Sequence, residues 1–82
     1  MITTVILMKN RIQSLRIDSD LRQMDIANAI GLTQRKYSYI ETGTQQLTAE
    51  ILIKLAAFYN TSVDYLLCLT DNPNPYPHKR IE

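Results

Sequence analysis

The stretch from Gln23 to Gly43 constrains this chain more than any other. It reads QMDIANAIGLTQRKYSYIETG, with apolar residues at helical spacing on both sides of a glycine. Ile26, Ala27 and Ile30 fall at i, i+1 and i+4, the pattern of one buried helix face. Gly31 stands directly after Ile30, where a helix end favours a residue that accepts positive φ. Thr33 follows as an N-cap, and a further helical period runs to about Thr42, with Gly43 closing it. Two helices this short, joined by so tight a turn, cross steeply. A steep crossing needs a small residue at the contact, and Ala27 supplies it. Ile26, Ile30, Leu32, Tyr37 and Ile40 then fill the wedge between the pair and the rest of the core.

The flanking segments carry the same helical signals. Residues 9–18 hold Ile12 and Leu15 at a three-residue spacing. Thr48 caps a fourth helix that runs to about Tyr59, with Glu50 in its first turn favoured by the helix dipole. Ile51, Leu52, Leu55, Ala56 and Tyr59 form one face of that helix, and Ile53 points away. Asn60 ends it. Ser62 caps a fifth helix, with Asp64 in its first turn, running to about Leu69. Two glycines in 82 residues disfavour turn-dense β folds and glycine-rich phosphate loops. The expectation is an all-α, compact five-helix domain over residues 9–70. Residues 1–8, MITTVILM, read as an N-terminal arm or extension, too short for a membrane span or a secretory signal. Pro73, Pro75 and Pro77 end regular structure, so residues 71–82 read as a proline-rich tail.

Several function classes are disfavoured at once. Cys68 is the only cysteine, so no disulfide closes within the chain, and it reads as a small core or half-buried residue. His78 lies in the proline-rich segment, and no ligand set accompanies it, so no metal is expected. Asp18 and Asp20 have no nucleophile or metal ligand beside them, so they read as solvated loop charge. No catalytic constellation, cofactor or small-molecule ligand is expected, and the chain does not read as an enzyme. The missing leader and single thiol fit a reducing cytoplasm, with no membrane association. The net charge of +1 conceals a polarity: residues 9–36 carry +3, residues 37–72 carry −3 and residues 73–82 carry +1. Such asymmetry points to an anionic partner for the basic half.

Rotation about the third helix sharpens this. With Gln34 as origin, Ser38 falls at about 40°, Thr42 at about 80°, Arg35 at about 100° and Tyr39 at about 140°. Ile40 and Tyr37 lie opposite. The polar face carries glutamine, arginine and serine rather than the mixed glutamates and lysines of a plain surface helix. Glutamine pairs bidentately with adenine and arginine with guanine in a major groove. The pattern points to double-stranded DNA as the partner.

Residues 23–43 resemble the helix-turn-helix of the phage repressor and Cro family, also called the xenobiotic-response-element (XRE) type. The resemblance extends to Leu21-Arg22-Gln23, to Leu55-Ala56 and to the run Asn60–Leu67, NTSVDYLL, so it covers about residues 9–72. It implies a lambda-repressor-like domain that binds DNA and regulates transcription, usually as a repressor. It implies base contacts from Gln34, Arg35, Ser38 and Tyr39. It implies phosphate contacts from Gln23 and Thr33, from Lys36 at the helix flank, and from Thr44 and Gln45 in the following loop. Arg16 and Glu41 match a structural ion pair between the first and third helices. Three positions depart from the family's pattern. Arg22 replaces the common threonine cap, though Asp25 can still accept from the helix N-terminus. Leu47 stands where a proline is common, which implies a looser loop at Thr44 and Gln45. Tyr37 replaces an aliphatic residue, so its hydroxyl is expected to reach a partner or the surface.

Operators for such folds match a two-fold dimer, so a homodimer is expected. Ile53, Tyr65, Leu69 and residues 1–8 are the candidate partner surface. The rival reading is a protein-interaction module, such as an antitoxin, that kept the fold. An acidic or apolar face at residues 34, 35, 38 and 39 would favour that rival, and this face is neither.

Overall fold

The computed structural model describes residues 10–44 and 46–77, and among these it contains five helices and no strand. They are α1 (Ile12–Asp18), α2 (Gln23–Ile30), α3 (Gln34–Thr42), α4 (Ala49–Tyr59) and α5 (Val63–Leu66). The arm at residues 1–8 and the phosphate candidate Gln45 lie outside the described residues.

Side-chain caps start three of the helices. Thr33 Oγ1 accepts from Lys36 N at 3.1 Å, Thr48 Oγ1 from Ile51 N at 3.2 Å and Ser62 Oγ from Tyr65 N at 3.0 Å. Each hydroxyl satisfies an amide that has no partner within its helix. At α2, Arg22 offers no acceptor, and half of a capping box remains: Arg22 N donates to Asp25 Oδ2 at 2.9 Å. That bond, and then the Arg22 guanidinium, hold the Asp25 carboxyl below the usual carboxylate range.

Four helices stop in one way. A residue in left-handed conformation follows, and the next amide reaches back five residues to a helix carbonyl. Leu21 N reaches Arg16 O at 3.1 Å, Leu32 N reaches Ala27 O at 2.8 Å, Thr61 N reaches Ala56 O at 2.9 Å and Leu69 N reaches Asp64 O at 2.9 Å. The pivots are Asp20 (φ 62°), Gly31 (φ 78°), Asn60 (φ 54°) and Cys68 (φ 64°). Gly31 is needed for its φ and not for a close approach, because a Cβ there would meet nothing within 4 Å.

The two ends of the chain pattern differ from the sequence expectation. α1 begins at Ile12 rather than at residue 9, because Arg11 N donates to Leu66 O (2.8 Å) and Ile12 N donates to Asn10 Oδ1 (3.0 Å). α5 stops at Leu66 rather than running to Leu69, because the left-handed Cys68 turns the chain.

α2 packs against α3 and α4, and α4 against α5. The core gathers Ile12 from α1, Ile26, Ala27 and Ile30 from α2, Tyr37 and Ile40 from α3, Ile51, Leu55 and Ala56 from α4, and Leu66 from α5. Ala27 is fully buried, as the α2–α3 crossing requires. Leu47 packs partly buried against this core, so an apolar anchor stands where the family's common proline would stiffen the loop.

Tyr37 corrects an expectation. It is 0 % exposed, and its hydroxyl makes no hydrogen bond and does not reach the surface. Burial, and then the close approach of the hydroxyl to the Glu41 carboxylate, which falls outside hydrogen-bond geometry, push the phenol well above its ordinary pKa. A buried hydroxyl without a partner costs its desolvation energy. Tyr37→Phe is therefore expected to stabilise the fold by about 1 kcal/mol, read as a rise in melting temperature with unchanged circular dichroism. A fall would mean that the hydroxyl has a partner.

Residues 67–77 add no regular element but are tied down. Arg11 Nη1 donates to Thr70 O at 3.0 Å and to Tyr65 O, and Arg11 Nη2 pairs with Asp71 at 2.9 Å. The Arg11 guanidinium lies 4.0 Å over the Tyr65 ring. Thr61 Oγ1 donates to Pro73 O at 2.6 Å, and Tyr76 Oη donates to Asp64 Oδ2 at 2.7 Å.

Candidate nucleic-acid interface

α3 owes its orientation to a buried ion pair. Arg16 Nε donates to Glu41 Oε2 at 2.6 Å and Arg16 Nη2 to Glu41 Oε1 at 3.1 Å. The side chains are 14 % and 2 % exposed. Parallel bonds of this kind fix direction as well as distance. Arg16 Nη1 also donates to Leu21 O at 2.9 Å, so one guanidinium ties α1, the α1–α2 turn and the last turn of α3. Burial alone would raise the Glu41 carboxyl, but the Arg16 bonds and neighbouring donors outweigh it and hold Glu41 below the usual carboxylate range.

With α3 held this way, its apolar side is consumed and its polar side stands free. Tyr37 and Ile40 are buried, whereas Gln34, Arg35 and Lys36 are exposed. Tyr39 is exposed and Ser38 half-buried at its shoulder. The four proposed base readers thus share one side of α3, and Lys36 stands in the same first turns. Thr33 is exposed, and its oxygen caps the helix while its hydroxyl hydrogen stays available. Thr44 is exposed and lies 3.1 Å, oxygen to oxygen, from the Thr42 hydroxyl, which lies 3.2 Å from Tyr39 O. Gln23, at the first residue of α2, is half-buried, and its Nε2 donates to Glu41 Oε1 at 3.0 Å. That internal bond was invisible in the sequence: the two residues lie 18 positions apart, and neither's type names the other.

Charge pairing separates two cations from the rest. Arg11 pairs with Asp71, Arg16 with Glu41, Arg22 with Asp25 and Lys54 with Glu50. Among the described residues, Arg35 and Lys36 are the cations left without a carboxylate partner. They are adjacent and lie at the exposed start of α3. Among the described residues, the unpaired basic character of the first half is therefore concentrated on one helix end.

Among the described residues no group of side chains is placed to hold a metal ion, and no helix is long and apolar enough to cross a membrane. Of the candidate partner residues, Ile53 and Leu69 are exposed, at 62 % and 71 %. Tyr65 is half-buried with its ring occupied by Arg11.

A family model described as helix-turn-helix matches residues 12–66, the span from the start of α1 to the end of α5. Among curated proteins, the chain is similar to the cryptic phage CTXphi transcriptional repressor RstR of Vibrio cholerae. The two are 38 % identical over 58 residues, covering 71 % of this chain and 52 % of that protein. It is also similar to the uncharacterized HTH-type transcriptional regulator YobD of Bacillus subtilis. Here identity is 35 % over 65 residues, covering 79 % of this chain and 58 % of that protein. The chain thus spans a little over half the length of these relatives. No solved structure matches.

Proposed function

The chain belongs to the XRE-type helix-turn-helix family of transcription regulators, and from that premise we propose that it is a repressor that binds double-stranded DNA sequence-specifically. The observation that carries this reading is the unpaired Arg35–Lys36 pair at the exposed start of α3, in a chain whose other described cations are neutralised by carboxylates. An arginine and a lysine left bare beside Gln34 suit a helix whose N-terminal residues enter a major groove.

In this reading α3 lies in the groove, and Gln34, Arg35, Ser38 and Tyr39 meet base edges. Gln and Arg supply the bidentate pairs, and the Tyr39 ring supplies apolar contact to a thymine methyl. Gln23, Thr33, Lys36, Thr44 and Gln45 hold phosphates on either side and set the register. Residues 9–70 form the binding unit, which acts in the cytoplasm. One domain of this size makes few contacts, so two copies on a two-fold operator supply the affinity. Exposed Ile53 and Leu69 are candidates for the surface between copies.

A gel-shift titration against mixed-sequence duplex tests the reading. Binding is expected at low salt, with log affinity falling linearly as log salt rises, because each phosphate contact releases counterions. No complex at any duplex concentration in low salt, or an affinity indifferent to salt, would sink it. In that event the protein-interaction reading of the same fold takes its place.

A further inference from the structure

We propose that Glu41 is the positioning residue for the phosphate contact of Gln23, an inference that rests on the DNA-binding reading above. The geometry is specific. The Glu41 carboxylate is 2 % exposed and accepts three hydrogen bonds: from Arg16 Nε at 2.6 Å, Arg16 Nη2 at 3.1 Å and Gln23 Nε2 at 3.0 Å. An ionised carboxylate only accepts. The Gln23 amide must therefore turn its NH2 group, and not its oxygen, toward Glu41. One N–H of that group is spent on Glu41, and the second stays free on a half-buried side chain at the first residue of α2.

This orientation matters because a phosphate oxygen also accepts and cannot donate. A phosphate approaching Nε2 meets the remaining N–H. If the amide were reversed, the same phosphate would meet a carbonyl oxygen. Arg16 completes the device. A bare carboxylate beside a phosphate would repel it, but the bidentate Arg16 bonds neutralise Glu41 locally, so it orients Gln23 without opposing the DNA. Glu41 sits in the last turn of α3 and Gln23 in the first turn of α2. A single buried carboxylate thus sets both the angle of the reading helix and the direction of a phosphate donor. Register on the backbone and readout of the bases share one joint.

The test is a double-mutant cycle on the full chain with a random-sequence duplex at low salt, using Gln23→Met, Glu41→Gln and the double variant. Glu41→Gln keeps side-chain volume and leaves an oxygen for Arg16. With that oxygen kept on Arg16 Nε, the shorter of the two bonds at 2.6 Å, α3 keeps its aim and the new NH2 takes the Oε1 position, where it faces both Arg16 Nη2 and Gln23 Nε2, so the Gln23 amide reverses. Each single variant is expected to lose about tenfold in affinity, the worth of one hydrogen bond to a charged group. The double variant is expected to lose the same tenfold and no more, since both changes remove one contact. A double variant weaker by about a hundredfold would overturn the proposal, as would Glu41→Gln binding like wild type. A wild-type chain that binds no duplex fails the DNA reading itself, a result distinct from either. Thermal melts run alongside, because Glu41→Gln touches a buried pair. The side-chain amide protons of Gln23 in the wild-type chain give a reading independent of any variant. On adding duplex, one of the two signals is expected to shift while the proton held by Glu41 stays put. Two stationary signals in a chain that binds would overturn the proposal.

Discussion

Replacing Arg16 with methionine is expected to destabilise the fold by about 3–5 kcal/mol, the range for breaking a buried ion pair from one side. Methionine fills most of the arginine's volume, so the loss isolates the charge and its bonds. It strands Glu41, whose side chain is 2 % exposed, and frees the Leu21 carbonyl that Arg16 Nη1 holds at 2.9 Å. A chain of 82 residues holds about 4–12 kcal/mol in total, so the variant sits near the edge of folding. Thermal unfolding at neutral pH measures the effect. A loss under about 1 kcal/mol would mean that Glu41 swings into solvent at no cost, which its burial argues against. The pH dependence supplies a second check. In the wild-type chain the Glu41 pKa lies below its unfolded value. Its contribution is thus full above the ordinary glutamate range and drains as pH falls through the lowered value. In the variant the pairing is gone and burial dominates, which raises the Glu41 pKa above its unfolded value. Protonation then relieves the buried charge, so the gap between variant and wild type is expected to narrow on acidification.

Arg35→Ala is expected to flatten base preference at one operator position by about 1–3 kcal/mol, the discrimination carried by a bidentate arginine–guanine pair. On the best selected duplex this is a loss of about ten- to a hundredfold. Arg35 is exposed and unpaired, so the fold is expected to melt unchanged. Lys36→Ala provides the contrast. A phosphate contact is blind to sequence, so its removal weakens all duplexes alike and lowers the salt slope by about one. Selection from a random duplex pool, repeated with each variant, measures both. Equal weakening by Arg35→Ala across all selected sequences would place Arg35 on the backbone rather than on a base.

The parts of this fold that were legible are those where chemistry marks a boundary. Thr33, Thr48 and Ser62 start helices where hydroxyl caps were expected, and Gly31, Gly43 and Asn60 stop them in the left-handed conformation those types favour. Asp20 and Cys68 perform the same turn with side chains that do not advertise it. The run Leu66, Leu67 and Leu69 therefore read as more helix, although Cys68 ends it. The buried face of α4 was legible because its apolar residues repeat at helical spacing. Tyr37 was misread because a phenol ordinarily brings its hydroxyl to a partner, whereas this core takes the whole ring and leaves the oxygen alone. On the interface, the outward side of α3 follows from rotation alone. The pairing of Arg16 with Glu41, 25 residues apart, came only through family resemblance. The bond from Gln23 into that pair is a property of three helices together, and no local pattern encodes it.

The Arg11 clasp has a consequence in time. Its bonds to Tyr65, Thr70 and Asp71 join residues 54 to 60 positions apart, whereas α2 and α3 meet across one short turn. Closing a long loop costs more chain entropy than closing a short one, and that cost falls due before the contact returns anything. The α2–α3 pair is therefore expected to assemble early, and the clasp to close late. In the reverse direction the clasp opens first, since its charged partner Asp71 is fully solvated. Hydrogen exchange should then show the Arg11 amide, bonded to Leu66 O, exchanging well before the amides of α2 and α4. The expected result is an end of the molecule that breathes while the Arg16–Glu41 joint stays shut.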